Sequence, residues 1–296
     1  MTHRGPAGQR SGVLTLLTDF GLKDPFVGIM HGIVLQRAPN ARIVDLTHHI
    51  RPQDIRAGAF YLRHAFHWFP RGTVHVAVVD PGVGSQRRAL VVSVQGHCFV
   101  LPDNGLVGEV LALARRRGDQ AEVREIDVSS PGLKVELTSH TFHGRDLFAP
   151  VGAKLVAGLP FAEVGAEVHE VVPTPNQAVL KLATGFEAEV VVVDHFGNGI
   201  TNLELAEYCP EALKEPRRFR VRVQHLDIPL VRTYSEVAEG ELCALVNSFG
   251  TLEIAERNGS AARQLTRLLH GDPPTNADSW GVSSRVRLLE IAARPD

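Results

Sequence analysis

Cysteine is scarce in this chain of 296 residues: Cys98, Cys209 and Cys243 are odd in number, far apart, and form no CxxC pair. That argues against a disulfide framework and against a cysteine-rich zinc site, and it fits a reducing cytoplasm. Charge of one sign is lacking too. Lys and Arg total 31 against 33 Asp and Glu, a net charge of −2, so no long-range field favours nucleic acid or an anionic membrane. No apolar run approaches the roughly 20 residues that a membrane-spanning helix needs. HExxH and HxxxH spacings are absent, and the adjacent His48 and His49 would point to opposite faces of a strand, so a metal site is not expected. Residues 1–12 are polar and Gly-rich, with no apolar core of the kind a signal peptide carries, and read as a disordered leader. Repeats and low-complexity tracts are also missing.

What is present is ordinary globular composition, 44% hydrophobic and 22% charged, in a length that suggests two domains. The first half alternates strands and helices. Val13 to Thr18 is an apolar run ending at Asp19. Asp24-Pro25 opens a helix whose Phe26, Val27, Met30, Ile33 and Val34 recur at helical spacing, with Asp24 available to cap it. Arg42 to Leu46 reads as a strand, Asp54 to Phe69 as a helix, Thr73 to Val79 as a strand, and Ala89 to Val94 with His97 to Leu101 as a hairpin over Gln95-Gly96. Asn104 is placed to cap a helix through Ala114, with Gly118 as its stop and the basic run Arg115-Arg116-Arg117 at its end. This alternation predicts an α/β domain over residues 13–172, a mixed and mostly parallel sheet with helices on its faces. Pro173 and Pro175 mark a linker, 173–186. The short β-type runs beyond it predict a smaller all-β, barrel-like domain over 187–296, with 271–284 as a loop.

Several segments carry residues suited to chemistry. Asp19, Asp45 and Asp80 each stand at or near the carboxyl end of a predicted strand, where open α/β sheets bind ligands, although strand-end aspartates more often cap or turn. Asp24 either caps its helix, binds ligand, or does both. After Asp80, Pro81-Gly82-Val83-Gly84 forces a tight loop that could carry Arg87 back towards Asp80; the competing reading is a simple turn with a solvated Arg pair. His143 lies between Phe142 and Gly144; an isolated His is more often structural, but Gly144 lets a ligand approach the backbone. Asp194 to Asn202 is a dense polar loop in which Phe196 offers a stacking face and Asn198 an amide that donates and accepts, as an adenine requires; an Asn-Gly hairpin turn is the alternative. Asn247-Ser248-Phe249-Gly250 has the same texture.

The stretches TDFGLKDPFVG, VVDPGVGSQRR, LPDNGL, TFHGRDLFAP, DHFGNGITNL, TYSEVAEGE and NSFGTLEIA, in that order, closely resemble the SAM hydroxide adenosyltransferases, relatives of the S-adenosyl-L-methionine (SAM)-dependent fluorinase and chlorinase. The resemblance covers most of residues 13–262. It implies hydrolysis of SAM to adenosine and L-methionine, and a cytoplasmic homotrimer with each active site between subunits. Asp80, Arg87 and His143 match the Asp–Arg–His set of the hydroxide-using branch, whereas the halogenases carry a Tyr at the Asp80 position. Gly144 stands where the fluorinase has Ser and the chlorinase Gly. Asp19 matches the ribose-hydroxyl contact, Asp24 a position near the methionine part, and Asp194, Phe196 and Asn198 the loop that contacts methionine and adenine. Ser248 matches a methionine-carboxylate contact. Residues 263–284 are longer and more irregular than the family pattern. On this reading Asp80 and His143 orient and deprotonate a water, Arg87 stabilises the developing hydroxide, and His143 is the more natural proton acceptor. SAM is then the substrate, with no cofactor and no metal. Rival functions are a SAM-dependent halogenase, a non-catalytic SAM or adenosine sensor, and a metal-dependent phosphoesterase using the strand-end aspartates.

Overall fold

The computed structural model describes residues 10–175, 178–271, 281 and 284–291. Residues 1–9 of the expected leader, and 272–280, 282 and 283 of the irregular segment, lie outside the described residues. The chain divides into two compact units at Pro175/Asn176.

The first unit holds a six-stranded sheet in the order β2-β1-β3-β5-β4-β6. β1 (Val13–Thr18) pairs in parallel with β2 (Arg42–Thr47) and β3 (Val74–Val78), and β3 pairs in parallel with β5 (His97–Pro102). β4 (Ala89–Val94) and β6 (Ala121–Glu125) run antiparallel at one side. β1, β3 and β5 are buried on both faces because helices cover both, as parallel sheets require. On one face, α1 (Phe26–Arg37) and α4 (Ala149–Val156) join Leu14, Leu16, Val74, Val76 and Val78 in a single core. On the other, Gly58 of α2 (Ile55–Ala65) lies against Val79, Leu17 and Leu106. The β4–β5 hairpin turns over Gln95 (φ 52°) and Gly96 (φ 82°), two positive values that match the twist of its strands. α2 starts where expected, with the Asp54 carboxylate accepting from Ala57 N at 2.9 Å. α3 (Gly108–Arg117) ends at Gly118 in the left-handed conformation.

Two expected caps are not made. The N-cap position of α1 is Pro25, without a side-chain cap bond, and Asp24 is exposed. Asn104 is too far from Gly108 to cap α3; its amide donates to Val79 O at 2.8 Å and so ties the loop after β5 to the end of β3.

The strands of the second unit pair antiparallel along the path β11-β10-β14-β8-β9-β13-β12, and only the bridge that joins the two ends of that path is parallel. Its strands are β8 (Gly185–Val193), β9 (Gly199–Glu204), β10 (Phe219–Val223), β11 (Leu226–Pro229), β12 (Leu242–Val246), β13 (Thr251–Glu256) and β14 (Arg285–Glu290). β7 (Leu180–Leu182) pairs with β8 and lies inside the stretch expected as linker. The two ends of the path meet through a bridge between Leu230 and Ala244, with Val231 N donating to Ala244 O at 2.8 Å, which makes the sheet barrel-like. Two short helices, α5 (Leu205–Tyr208) and α6 (Pro210–Lys214), follow β9. The longer α7 (Ala261–His270), capped by Ser260, occupies much of the segment expected to be irregular.

β9 was not expected because its polar residues disguise it. Thr201 is buried, but its hydroxyl donates to Leu252 O at 2.8 Å, and the Asn202 side chain accepts from Glu189 N at 3.0 Å. All three cysteines are free and buried. Among the described residues no helix is long and apolar enough to cross a membrane.

Candidate active site

β1 connects through α1 to β2 on one side, and the chain then returns through α2 to β3 on the other. The gap between β1 and β3 is therefore a topological switch point, where crevices form outside the carboxyl ends of the strands. Asp19 leaves β1 at this edge, and Asp80 leaves β3 two residues after its last paired position. They are near enough that the charge on Asp80 adds to the rise in the Asp19 pKa. Burial is the larger cause of that rise, and the bond from Gln53 N at 2.8 Å opposes it.

Beyond Asp80 two successive turns reverse the chain. Val83 N donates to Asp80 O at 3.2 Å, and the Ser85 hydroxyl donates to Gly82 O at 2.7 Å. Gly84 is required here: its φ is +81°, and a Cβ would stand 2.8 Å from His140 O. The reversal lays Arg87 back on Asp80. Arg87 Nε lies 2.9 Å from each Asp80 carboxylate oxygen, and Nη2 donates to Oδ2, a two-pronged ion pair. The same Nη2 is 2.8 Å from His143 Nδ1, and the guanidinium carbon sits 5.3 Å from the centre of the Phe148 ring. Exposure of the Asp80 and Arg87 side chains is only 4% and 10%, so water screens the pair weakly.

The contact with His143 fixes a tautomer. Arginine has five N–H donors and no acceptor, so Nδ1 must be the acceptor. The imidazole is therefore neutral, with its proton on Nε2. Burial and the Arg87 charge lower the His143 pKa, against the opposing pull of Asp80 and Asp146. His143 occupies the N-cap position of a π-helical turn, Gly144–Phe148, in which Ala149 N closes onto Gly144 O before α4 begins. The expectation that His143 is the more natural proton acceptor needs revision, because its one lone pair is already engaged.

Beside these groups lies a cleft of about 360 Å³. Asp80, His143 and Gly144 line it together with the rings of Phe20, Phe26 and Phe142, which meet edge to face at centroid separations of 6.2, 5.9 and 5.3 Å. Gly144 is small for a reason: a Cβ would stand 3.0 Å from Phe142, 3.1 Å from Phe20 and 3.2 Å from the Met30 sulfur. The cleft thus combines an apolar aromatic wall with one buried, paired carboxylate and an imidazole.

In the second unit Asp194 organises the β8–β9 loop. Its Oδ1 accepts from Phe196 N (2.9 Å) and Asn198 N (2.8 Å), and its Oδ2 from the Asn198 amide (3.1 Å). The hairpin turns over His195 and Phe196, with Gly197 N donating to Asp194 O at 3.0 Å and Gly197 at φ +86°, and it leaves Phe196 72% exposed. The Asn-Gly turn weighed as the alternative is not formed: Asn198 O closes the hairpin by accepting from Asp194 N, Gly199 is already paired with Val193, and the Phe196 ring meets His195 edge to face at 5.7 Å. Ser248 is exposed on a separate turn built by Asn247, whose Oδ1 accepts from Phe249 N and Thr251 N. Between the two turns Glu253 is buried and accepts from the Tyr234 hydroxyl at 2.7 Å. Burial raises its pKa against the bonds from Tyr234 and Asn247, and Asp194 pushes the same way.

The first unit thus brings Asp19, Asp80, Arg87, His143 and Gly144 to one edge, leaving Asp24 exposed at the start of α1. Sequence reasoning did not single out Phe20, Phe26, Gln53, Tyr234 or Glu253. The signal available for Phe20 was an aromatic beside Gly in DFG, the texture used to select Phe196.

Comparison with known proteins follows the same division. The model of the SAM hydroxide adenosyltransferase N-terminal domain matches residues 14–165, and that of the C-terminal domain matches 188–272. An (R)-S-adenosyl-L-methionine hydrolase of Salinispora tropica is 41% identical over 251 residues, 84% of this chain and 92% of that protein. A fluorinase of Nocardia brasiliensis is 25% identical over 284 residues, 86% of this chain and 93% of that one. The solved structure of an uncharacterized conserved protein from Thermotoga maritima superposes with a TM-score of 0.80 at 31% identity, covering 94% of this chain and all of that one.

Proposed function

The chain belongs to the SAM hydroxide adenosyltransferase family, and from that premise we infer that it hydrolyses SAM to adenosine and L-methionine by attack of a water-derived nucleophile on the ribose 5′ carbon. The observation that carries this reading is the meeting of Asp80, Arg87 and His143 at an aromatic cleft. The sulfonium leaves as a neutral thioether, so the leaving group needs little help; the task is to orient water in line with the C5′–S bond. A water oxygen accepts from His143 Nε2–H and donates one proton to Asp80. As the O–C5′ bond forms, the C5′–S electron pair passes to sulfur, and the proton on Asp80 later leaves to solvent. Arg87 offsets the charge that builds on oxygen and holds both partners in place. A halide would meet the Asp80 carboxylate as a like charge, which is why hydrolysis and not halogenation fits this cleft.

Asp19 binds the ribose hydroxyls. Asp24, Asp194 and Ser248 meet the methionine part, while Phe196 and Asn198 meet adenine and Gly144 leaves room for the reacting carbon. The substrate is the sulfonium epimer in the relatives' name, the R form. No metal or cofactor takes part. The protein is a homotrimer, each site completed by a neighbouring subunit; the exposed Leu22, Phe26, Ile29 and Leu35 in and before α1 supply an apolar surface for that contact.

The test is chromatography of SAM incubations, in the presence of chloride, with wild type and two variants. Wild type should release adenosine and no halogenated nucleoside. Asp80→Asn and His143→Ala should each lower turnover by roughly 10²–10⁴-fold, the usual scale for a positioned acid–base group, with SAM affinity nearly unchanged. Full turnover in both variants would remove the proposed roles.

A further inference from the structure

A second cluster of donor atoms lies beside β1, outside the residues assigned to the reaction. His31 on α1, Asp45 on β2 and His48 just after β2 each direct one atom to a common point, and the three atoms lie within 4.8 Å of one another. His31 Nε2 is 2.8 Å and His48 Nε2 3.1 Å from Asp45 Oδ1. Four ligands held tetrahedrally at about 2.0–2.1 Å from zinc stand roughly 3.3 Å apart, so the two distances to Asp45 are close to the edges of such a site. His48 adds an independent sign. It is 3% exposed, and its Nε2 finds no polar neighbour but the Asp45 carboxylate, 3.1 Å away, with which it meets no hydrogen-bond geometry. Its other nitrogen, Nδ1, is 2.8 Å from Thr18 Oγ1. A proton on Nδ1 donated to that hydroxyl leaves the Nε2 lone pair facing the cluster, the outer-shell arrangement of metal-bound histidines. The outward side is open, with Asp45 40% and His31 32% exposed, leaving a fourth position for water.

We propose that His31, Asp45 and His48 bind one transition-metal dication per chain, with zinc as the reference ion. Two imidazoles and one carboxylate suit zinc, cobalt or nickel and not magnesium or calcium. The ion would act on the β1–α1 turn, because His48 O accepts from Gly21 N at 2.8 Å and Thr18 Oγ1 accepts from Phe20 N at 3.2 Å. Occupancy would stiffen the segment that carries Asp19 and Phe20.

The experiment uses metal-free full-length protein and no substrate, so its outcome is independent of the reaction assignment. Cobalt(II) is titrated in while the visible absorption of a tetrahedral complex is followed, and zinc affinity is measured by calorimetry. Saturation at one ion per chain, displacement of cobalt by zinc, and a rise in the unfolding midpoint with zinc are expected. His31→Ala, on an accessible helix face, should weaken zinc binding at least roughly tenfold and abolish that rise, and Asp45→Asn should do the same. Absence of saturable binding in wild type, or unchanged binding in both variants, would overturn the site and place any bound ion on other histidines.

Discussion

Arg87→Ala offers the most demanding test of the site because one side chain holds both other members. The substitution removes the two-pronged contact with Asp80 and the 2.8 Å bond to His143 Nδ1. It leaves a carboxylate only 4% exposed without its partner. Breaking a buried ion pair from one side costs about 3–5 kcal/mol, most of it the penalty of the stranded charge. In a domain of 150–250 residues each kcal/mol moves the unfolding midpoint by about 2–4 °C, so the first unit should melt roughly 6–20 °C earlier. Scanning calorimetry reads this directly. In the Asp80→Asn/Arg87→Ala double variant the stranded charge is gone, so the loss should fall short of the sum of the singles by about 2–3 kcal/mol. Turnover should fall in every one of these variants, and Arg87→Lys should recover stability before activity, since an ammonium restores charge without the planar fork. A midpoint within about 2 °C of wild type for Arg87→Ala, together with additive losses in the double variant, would show that water already screens the pair and would refute the reasoning.

Three further outcomes are expected. Gly144→Ala presses a methyl group on Phe142, Phe20 and Met30, so it should cost about 1–3 kcal/mol and raise KM several-fold as the aromatic wall shifts, which steady-state kinetics can check. Acidification should destabilise the first unit. His75 is fully buried, and burial holds its pKa down at about 3 against an ordinary 6.5, so below pH 6.5 the unfolded chain takes up a proton that the folded one refuses. Its share of the loss is about 2 kcal/mol at pH 5, His97 and His64 act in the same direction, and an unfolding midpoint flat between pH 7 and 5 would contradict this. Turnover should survive exhaustive chelation even where the midpoint drops, and loss of turnover restored by one added metal would overturn the metal-free mechanism.

Local signals carried the regular parts of the fold. β1, the hairpin over Gln95-Gly96, the Asp54 cap and the Gly118 stop all sit where short-range chemistry alone decides the backbone. The failures arose where a side chain is satisfied from a distance. Asn104 spends its amide on Val79 O, across the sheet, and Thr201 spends its hydroxyl on Leu252 O of a neighbouring strand; neither partner is visible in a sequence window. The site divides in the same way. That the loop after Asp80 could bring Arg87 back was readable from its Pro and Gly residues. His143, some sixty positions on, stood out for its place between Phe142 and Gly144, but only the family resemblance joined it to Asp80 and Arg87. The His31–Asp45–His48 cluster was missed because its members come from a helix and a strand end, so no fixed spacing announces them.

The π-helical turn that follows His143 has a consequence for how such a site can be gained or lost. A π turn is an α-helix carrying one surplus residue. Delete a single codon within Gly144–Phe148, and the hydrogen-bond ladder of α4 would close up as ordinary helix, with Leu147 and Phe148 forced to repack in the core. Everything upstream would swing by about 100° about the helix axis, and the imidazole would leave Arg87. One in-frame loss at this turn would therefore part the imidazole from its guanidinium and silence the centre.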